Sequence, residues 1–595
     1  MLGGHAQYNC SEEGGMSKLP VVEHVSDIRM GKNPALEAWL YHFLTENNLE
    51  YLLNPSFVAS PEQLRFMVAL HDDQIYLPCG DSTFQELYDR REGRRYINEY
   101  RKAWLFIVKL VKSYNMNRSD ERRVLGFCRY RFQMYLESGM VLPSRLIKRL
   151  VGIVLTQCGD NDPFRDKKRQ ANQHAAERLR DSAVRRALLH CAPDFGTTCA
   201  DIPSLRWEMD LAEIARLMLI STQEGMWEGN MSVFDMEDDI KHARKRCDCL
   251  RRVFGPESEE RRKILFIPDV AGGFMFDLAL IRALLRQGHQ VVLVMKDAFY
   301  FNTPTVLDLE YDMLLKEMLG DAHVVARDGV SKNDLLQLLR ERRFLLISDG
   351  TSEQLNLYRT GVTFARAWKE CDVVFAKGLR NKRVLIDSSH DFTRDIISWW
   401  REEDGSFHIQ AKPKAPWIRK FAEKDLLGKA RELISDMKKA KAAGKTIMFY
   451  SAVIGSIPGQ TKTAIALVNA FVGRLREKME GIFIINPAEH FEEGMDGDDL
   501  MYMWERVQRS GLLDVWRFQT VEDIEAGFAL LERKVPSVWT GKDSTFSTGC
   551  TKEMRIALDM QQKQPELQII GPAPERFFRR RDYGVGKYFD ATLRA

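Results

Sequence analysis

A chain of 595 residues is too long for one ordinary hydrophobic core, so roughly three or four domains are expected. Its 45% hydrophobic and 29% charged residues match ordinary globular composition. A formal net charge of +3 gives no reason to invoke nucleic acid or a membrane surface as a partner.

The ten cysteines are scattered, and the closest pair, Cys247 and Cys249, lacks the CxxC spacing of zinc and redox sites. They read as reduced thiols of a cytoplasmic protein. The start, MLGGHAQYNCSEEGG, has no basic-then-apolar signal-peptide plan, and no window reaches about 18 consecutive apolar residues. A soluble intracellular protein is expected, with its oligomeric state left open.

Residues 1–32 read as a flexible N-terminus. Residues 33–255 read as a helical domain, because apolar residues recur at helical spacing in runs such as NEYRKAWLFIVKLVKSY and PSRLIKRLVGIVLTQ. Ser144 after Pro143 and the CGDNDP turn supply start and stop signals. The run FRDKKRQ begins a helix after Asp162 and Pro163, and its charges are expected on a solvated face. The tryptophans and methionines of LRWEMDLAEIARLMLISTQEGMW fall at helical spacing and are expected in the core rather than around a cofactor. Charged GPESEERRK then marks a domain joint.

Over residues 260–496 the short apolar runs ILFIP, QVVLVM, AHVVA, FLLIS, DVVFA, TIMFY and GIFII alternate with amphipathic helices. Such alternation predicts an α/β domain, a mostly parallel layered sheet with right-handed crossovers and helices on both faces. Residues 497–595 read as a C-terminal extension in which LLDVWRF, TVEDIEAGFALLERK and PSVWT partly continue the layer. Its last stretch, PERFFRRRDYGVGKYFDATLRA, is expected to dock on its own protein or lie solvated.

Ligands of open parallel sheets bind beyond the carboxyl ends of the strands. Those ends carry Asp269, Asn302 with Thr303, Ser348 with Asp349, and Lys377. Carboxylates there suit a hard cation such as Mg²⁺ shared with substrate phosphates, and a lysine can neutralise phosphate oxygens. The rim therefore suits phosphoryl transfer. The alternative, equally open, is that Asp269 and Asp349 only cap the helices that follow.

The stretch PDVAGGFMFDLALIRALLRQGHQVVLVMKDAFYFNTPTVLDLE resembles the core of the damage-control phosphatase family, also called the ARMT-like metal-binding domain. Asp269, Ala271 and Gly272 match that family's Asp-Asn-Ala/Ser-Gly turn, and Asn302, Thr305 and Asp308 match its Asn/Ser-Asp-x-Thr-x-x-Asp loop. FAKGLRNKRVL is similar to its Lys-Gly-x-x-Asn segment at Lys377, Gly378 and Asn381, with Arg383 shared by the eukaryotic branch. NDPFRDKKRQAN resembles its Asp-Pro-Tyr helix start at Asp162, Pro163, Lys168 and Asn172, so the resemblance runs from about Pro143 to Leu385.

The resemblance implies a phosphatase dependent on a divalent metal (Mg²⁺, Mn²⁺, Co²⁺ or Ni²⁺) and acting on a small phosphorylated metabolite; a carboxyl methyltransferase activity is attributed to one branch. Asp269 would hold the metal and Lys377 the phosphate, making these the catalytic pair. Lys377, Gly378, Asn381 and Asn302 would form the substrate site, with Asn381 fixing the loop that presents Lys377. Two of three expected metal ligands are missing, because Val270 replaces an asparagine and Thr303 an aspartate. Asp308, Asp349 and Glu353 are candidate replacements. A different chemistry in the same pocket, or a binding or regulatory protein without catalysis, fits equally.

Two further motifs are set aside. FYSAVIGSIPGQTKTAIALVNAF carries Lys462-Thr463 before a helix, but P-loop spacing would need glycine at Gln460 and lysine at Thr461, so a plain turn is expected. In SSHD, Ser388 to Asp391, immediate neighbours point apart and cannot form a relay, so His390 is expected at a surface or turn.

Overall fold

Strand β1 (Lys263–Ile267) is apolar throughout because both its faces are covered: Ile264 and Phe266 enter one core, Leu265 and Ile267 another. It belongs to a seven-stranded sheet with β2 (Gln290–Met295), β3 (His323–Val324), β4 (Phe344–Ser348), β5 (Val373–Lys377), β6 (Asp395–Arg401) and β7 (Phe407–Lys412). The order is β3-β4-β2-β1-β5-β6-β7, parallel except for β7, which returns antiparallel on β6 after a turn holding Gly405 at φ +85. This is the expected α/β class. The structure is a computed structural model describing residues 19–49, 61–71, 73–88, 94–190, 201–229, 240, 248–255, 261–325, 332–421, 423–457, 460–490, 492, 495 and 497–578. Outside these lie much of the expected flexible N-terminus, Cys247, most of the GPESEERRK joint, Pro458 and Gly459 of the P-loop-like turn, and the tail from residue 579.

The helix after β1, Gly273–Arg286, packs into the first core, whereas the helix after β5, Leu379–Leu385, packs into the second. The loops leaving these two hydrogen-bonded neighbours therefore part to opposite faces. Such parting opens a crevice at the strand tips, where open α/β sheets bind ligands.

Helices Pro34–Glu46, Arg94–Ser113, Arg118–Ser138 and Pro143–Cys158 share a core of their own. Local chemistry sets their limits. The Asn33 side chain accepts from the Ala35 and Leu36 amides, Pro143 stands in the first turn, and Gly139 and Gly159 close two helices at φ +61 and +66. Helices Arg165–Arg180 and Ile202–Ser221 instead cover the sheet, adding Ala175, Met218 and Ile220 to the first β1 core beside Met226 and Trp227. Residues expected to form one helical domain are thus divided between two cores.

A second, separate sheet contains β8 (Thr446–Ser451), β9 (Ile482–Ile485), β10 (Val515–Phe518) and β11 (Gln568–Ile570), all parallel in the order β11-β10-β8-β9. Strands β8 and β9, grouped by sequence with the first sheet, pair here with the C-terminal strands. Ser537–Trp539 of PSVWT is a short 3-10 helix rather than a strand. His390, expected at a surface or turn, lies outside helix and strand but is fully buried: its Nε2 accepts from the Leu77 amide at 3.0 Å, and burial pushes the imidazole down to about 3. No helix among the described residues is long and apolar enough to cross a membrane.

Candidate functional site

Asp269 stands just beyond β1 and Lys377 ends β5; the register Ile267 opposite Ala376 sets them side by side at the crevice. Gly378 makes the approach possible. It adopts φ +91, and a Cβ built there would lie 2.0 Å from Asp269 Oδ2, so the carboxylate rests directly on bare backbone. Gly273 does the same for the lysine, since its Cβ would fall 2.8 Å from Lys377 Nζ. Asn381 Nδ2 donates to the Lys377 carbonyl at 2.8 Å and fixes the turn. Asn302 ties the next loop in, its carbonyl accepting from the Ala271 amide at 2.7 Å, while its side-chain Oδ1 is buried without a hydrogen-bond partner.

Each charge at the crevice has a partner that sequence reasoning missed. Lys377 Nζ lies 2.8 Å from Asp277 Oδ2, both groups fully buried; burial pushes the Asp277 carboxyl up to about 6 against the opposing pull of Lys377. Asp269 Oδ1 accepts from Arg380 Nη2 at 2.9 Å, and Arg380 Nη1 donates to Thr303 Oγ1 at 3.3 Å. The Arg380 guanidinium lies 5.4 Å from the Tyr300 ring centre and 5.9 Å from that of Phe301. Asp277 did carry a signal, as one acid in the otherwise apolar helix start GFMFDLALI. Arg380 sits at a variable position of the Lys-Gly-x-x-Asn segment and carried none.

The other motif residues form a latch beside the crevice. Lys168, expected on a solvated face, is buried between Asp162 Oδ2 and Asp308 Oδ1, each at 2.6 Å, because the sheet's second loop closes over this turn of helix. Asp308 Oδ2 also accepts from the Thr305 amide at 2.8 Å. Asn172 bridges the Gly272 amide (2.8 Å) and Asp312 Oδ2 (2.9 Å), clamping the glycine turn that follows Asp269. A small cleft opens above the latch, lined by Arg165, Arg169 and Tyr311 among others.

Asp349 is held by Lys296 Nζ at 2.5 Å and by the Thr351 amide and hydroxyl at 2.8 and 2.9 Å. Glu353 is buried among Arg145 (2.5 Å), Arg359 (3.4 Å) and Lys148 (3.7 Å); burial favours its proton, but these cations outweigh that and hold the carboxyl below its usual range.

This arrangement does not fit a divalent ion. Val270 offers no donor, Thr303 offers a hydroxyl already bonded by Arg380, and Asp308 and Asp349 are held by their own lysines. Among the described residues no three His, Cys, Asp or Glu side chains gather into a group able to hold a metal ion. The structure therefore does not bring Asp269, Asp308 and Asp349 into one ligand set.

No curated protein matches the chain. Among solved structures, the crystal structure of a DUF89 family protein from Pyrococcus horikoshii is similar to it at 18% identity, over 51% of this chain and 90% of that one, with a TM-score of 0.36. The sequence model of the damage-control phosphatase ARMT1-like domain matches residues 102–421, which include the crevice, the latch and the whole first sheet. With more than half of its length matched, this chain belongs to the damage-control phosphatase ARMT1-like family.

Proposed function

We propose that the chain recognises a small phosphorylated metabolite in the crevice beyond β1 and β5. The observation that carries this reading is the convergence of Arg380 and Lys377 with Asp269 at the parting of two adjacent parallel strands. Lys377, buried and paired with Asp277, is too deep to meet a ligand freely, whereas the Arg380 side chain keeps 26% of its surface exposed. Calorimetry with a panel of pentose and hexose phosphates, each beside its unphosphorylated sugar, tests the reading. Binding of the esters alone is expected; equal binding of the plain sugars, or none by any ester, would contradict it.

A second reading, metal-dependent hydrolysis, draws on family membership, which supports a phosphatase-like damage-control role, and requires Arg380 to leave Asp269 so that this carboxylate and the unpartnered Asn302 Oδ1 are open to an ion. Its test is phosphate release with Mg²⁺, Mn²⁺, Co²⁺ or Ni²⁺. Rates unchanged by Asp269→Ala would remove it. A cytoplasmic setting is supported by the described cysteines, Cys79, Cys128, Cys158, Cys249, Cys371 and Cys550, which are free thiols.

A further inference from the structure

We propose that the Arg380 guanidinium takes the place of the divalent cation in this crevice, leaving a metal-free site whose permanent positive charge meets an anionic ligand. The two positions bridged by Arg380, Asp269 at 2.9 Å and Thr303 at 3.3 Å, are two of the three at which the family pattern has metal ligands. The third is Val270, a hydrocarbon side chain. The two departures, Val270 and Thr303, are coherent with the retained Asp269. A guanidinium needs one carboxylate and a neutral acceptor, whereas Mg²⁺ needs several oxygens in near-octahedral array.

The loop after β2 is built to hold this arginine. Phe301 adopts φ +51, a conformation uncommon for any residue but glycine and costly for a bulky one. Its ring and that of Tyr300 both lie within 6 Å of the guanidinium carbon, so the loop places two aromatic rings beside the cation it carries. Gly378 completes the arrangement, because any side chain there would displace the carboxylate that orients Arg380.

The ligand class follows from the shape of the cation. Arg380 spends one N–H of Nη2 on Asp269 and one of Nη1 on Thr303, so its remaining N–H groups are those that would meet phosphate oxygens, and a guanidinium neither loses its proton nor yields to a chelator. Phosphate recognition should therefore be indifferent to EDTA. This half of the inference rests on the proposed function, whereas exclusion of the metal stands without it.

The test has two arms, with circular dichroism verifying that each variant is folded. In the first, Mn²⁺ alone is titrated calorimetrically into the parent, Val270→Asn/Thr303→Asp, and Val270→Asn/Thr303→Asp/Arg380→Gln. Only the last is expected to bind, because in the double variant Arg380 would bridge two carboxylates and exclude the ion. Mn²⁺ binding by the parent, binding by the double variant as tight as by the triple, or none by the folded triple would each overturn the proposal. In the second arm a hexose phosphate is titrated in EDTA. Its affinity should equal that without EDTA and fall roughly ten- to hundredfold in Arg380→Gln, with Arg380→Lys intermediate. Loss of affinity in EDTA, or an unchanged Arg380→Gln, would overturn the proposal. If no ester binds at all, the functional reading fails and the Mn²⁺ arm alone decides whether Arg380 fills the cation's place.

Discussion

Replacing Gly378 by alanine tests the geometry of the crevice at its tightest point. The residue lies at φ +91 and ψ 157, a region almost confined to glycine, and holding alanine there costs about 1–3 kcal/mol. The new Cβ would also fall 2.0 Å from Asp269 Oδ2 and 2.4 Å from its Cγ, so the carboxylate must swing away and release Arg380. That ion pair, with 26% and 19% of its side-chain surfaces exposed, is partly screened and contributes about 1–2 kcal/mol. The sum is about 2–5 kcal/mol of local stability. Hydrogen exchange reads it at the Lys382 amide, which bonds the Gly378 carbonyl. A double-mutant cycle separates the two parts. In an Asp269→Gly background the same substitution should cost only the backbone part, about 1–3 kcal/mol. An equal cost in both backgrounds, or a change within about 0.5 kcal/mol in the parent, would refute the contact.

Two further outcomes are expected. Lys168→Met leaves Asp162 and Asp308 facing each other without their shared cation and should destabilise the chain by about 3–5 kcal/mol in urea titrations; a neutral result would mean that the latch carries no load. Burial pushes the Glu553 carboxyl up to about 7, so the folded chain binds this proton more tightly than the unfolded one does. Stability should therefore fall as pH rises from the ordinary carboxylate range through about 7, by up to about 3 kcal/mol. Glu553→Gln should flatten this slope, its melting temperature gaining on the parent's between about pH 5 and pH 8; parallel profiles would contradict it.

How much was legible depended on range. β1, β2, β4 and β5 could be read because each is a short apolar run between helices, and Asp269 and Lys377 because strand ends are where such sheets place chemistry. β6 and β7 escaped because the charged turn REEDGSF divides DIISWWR from FHIQAK and reads as loop. The change of sheet escaped for a different reason: β8 looks like β1, and pairing partners are not written in a strand's own residues. Lys168 looked solvated because its helix is polar on most sides; its partner Asp308 is 140 residues away. Arg380 was invisible for the same reason, since only the folded loops bring it onto Asp269 and Thr303.

The most direct test of the account is a crystal structure of the full chain with a bound hexose phosphate. The account predicts the phosphate in the crevice beyond β1 and β5, with its oxygens within hydrogen-bonding distance of Arg380. A phosphate seated in the cleft lined by Arg165 and Arg169, with Arg380 still closed on Asp269 and no ligand beside it, would contradict the account.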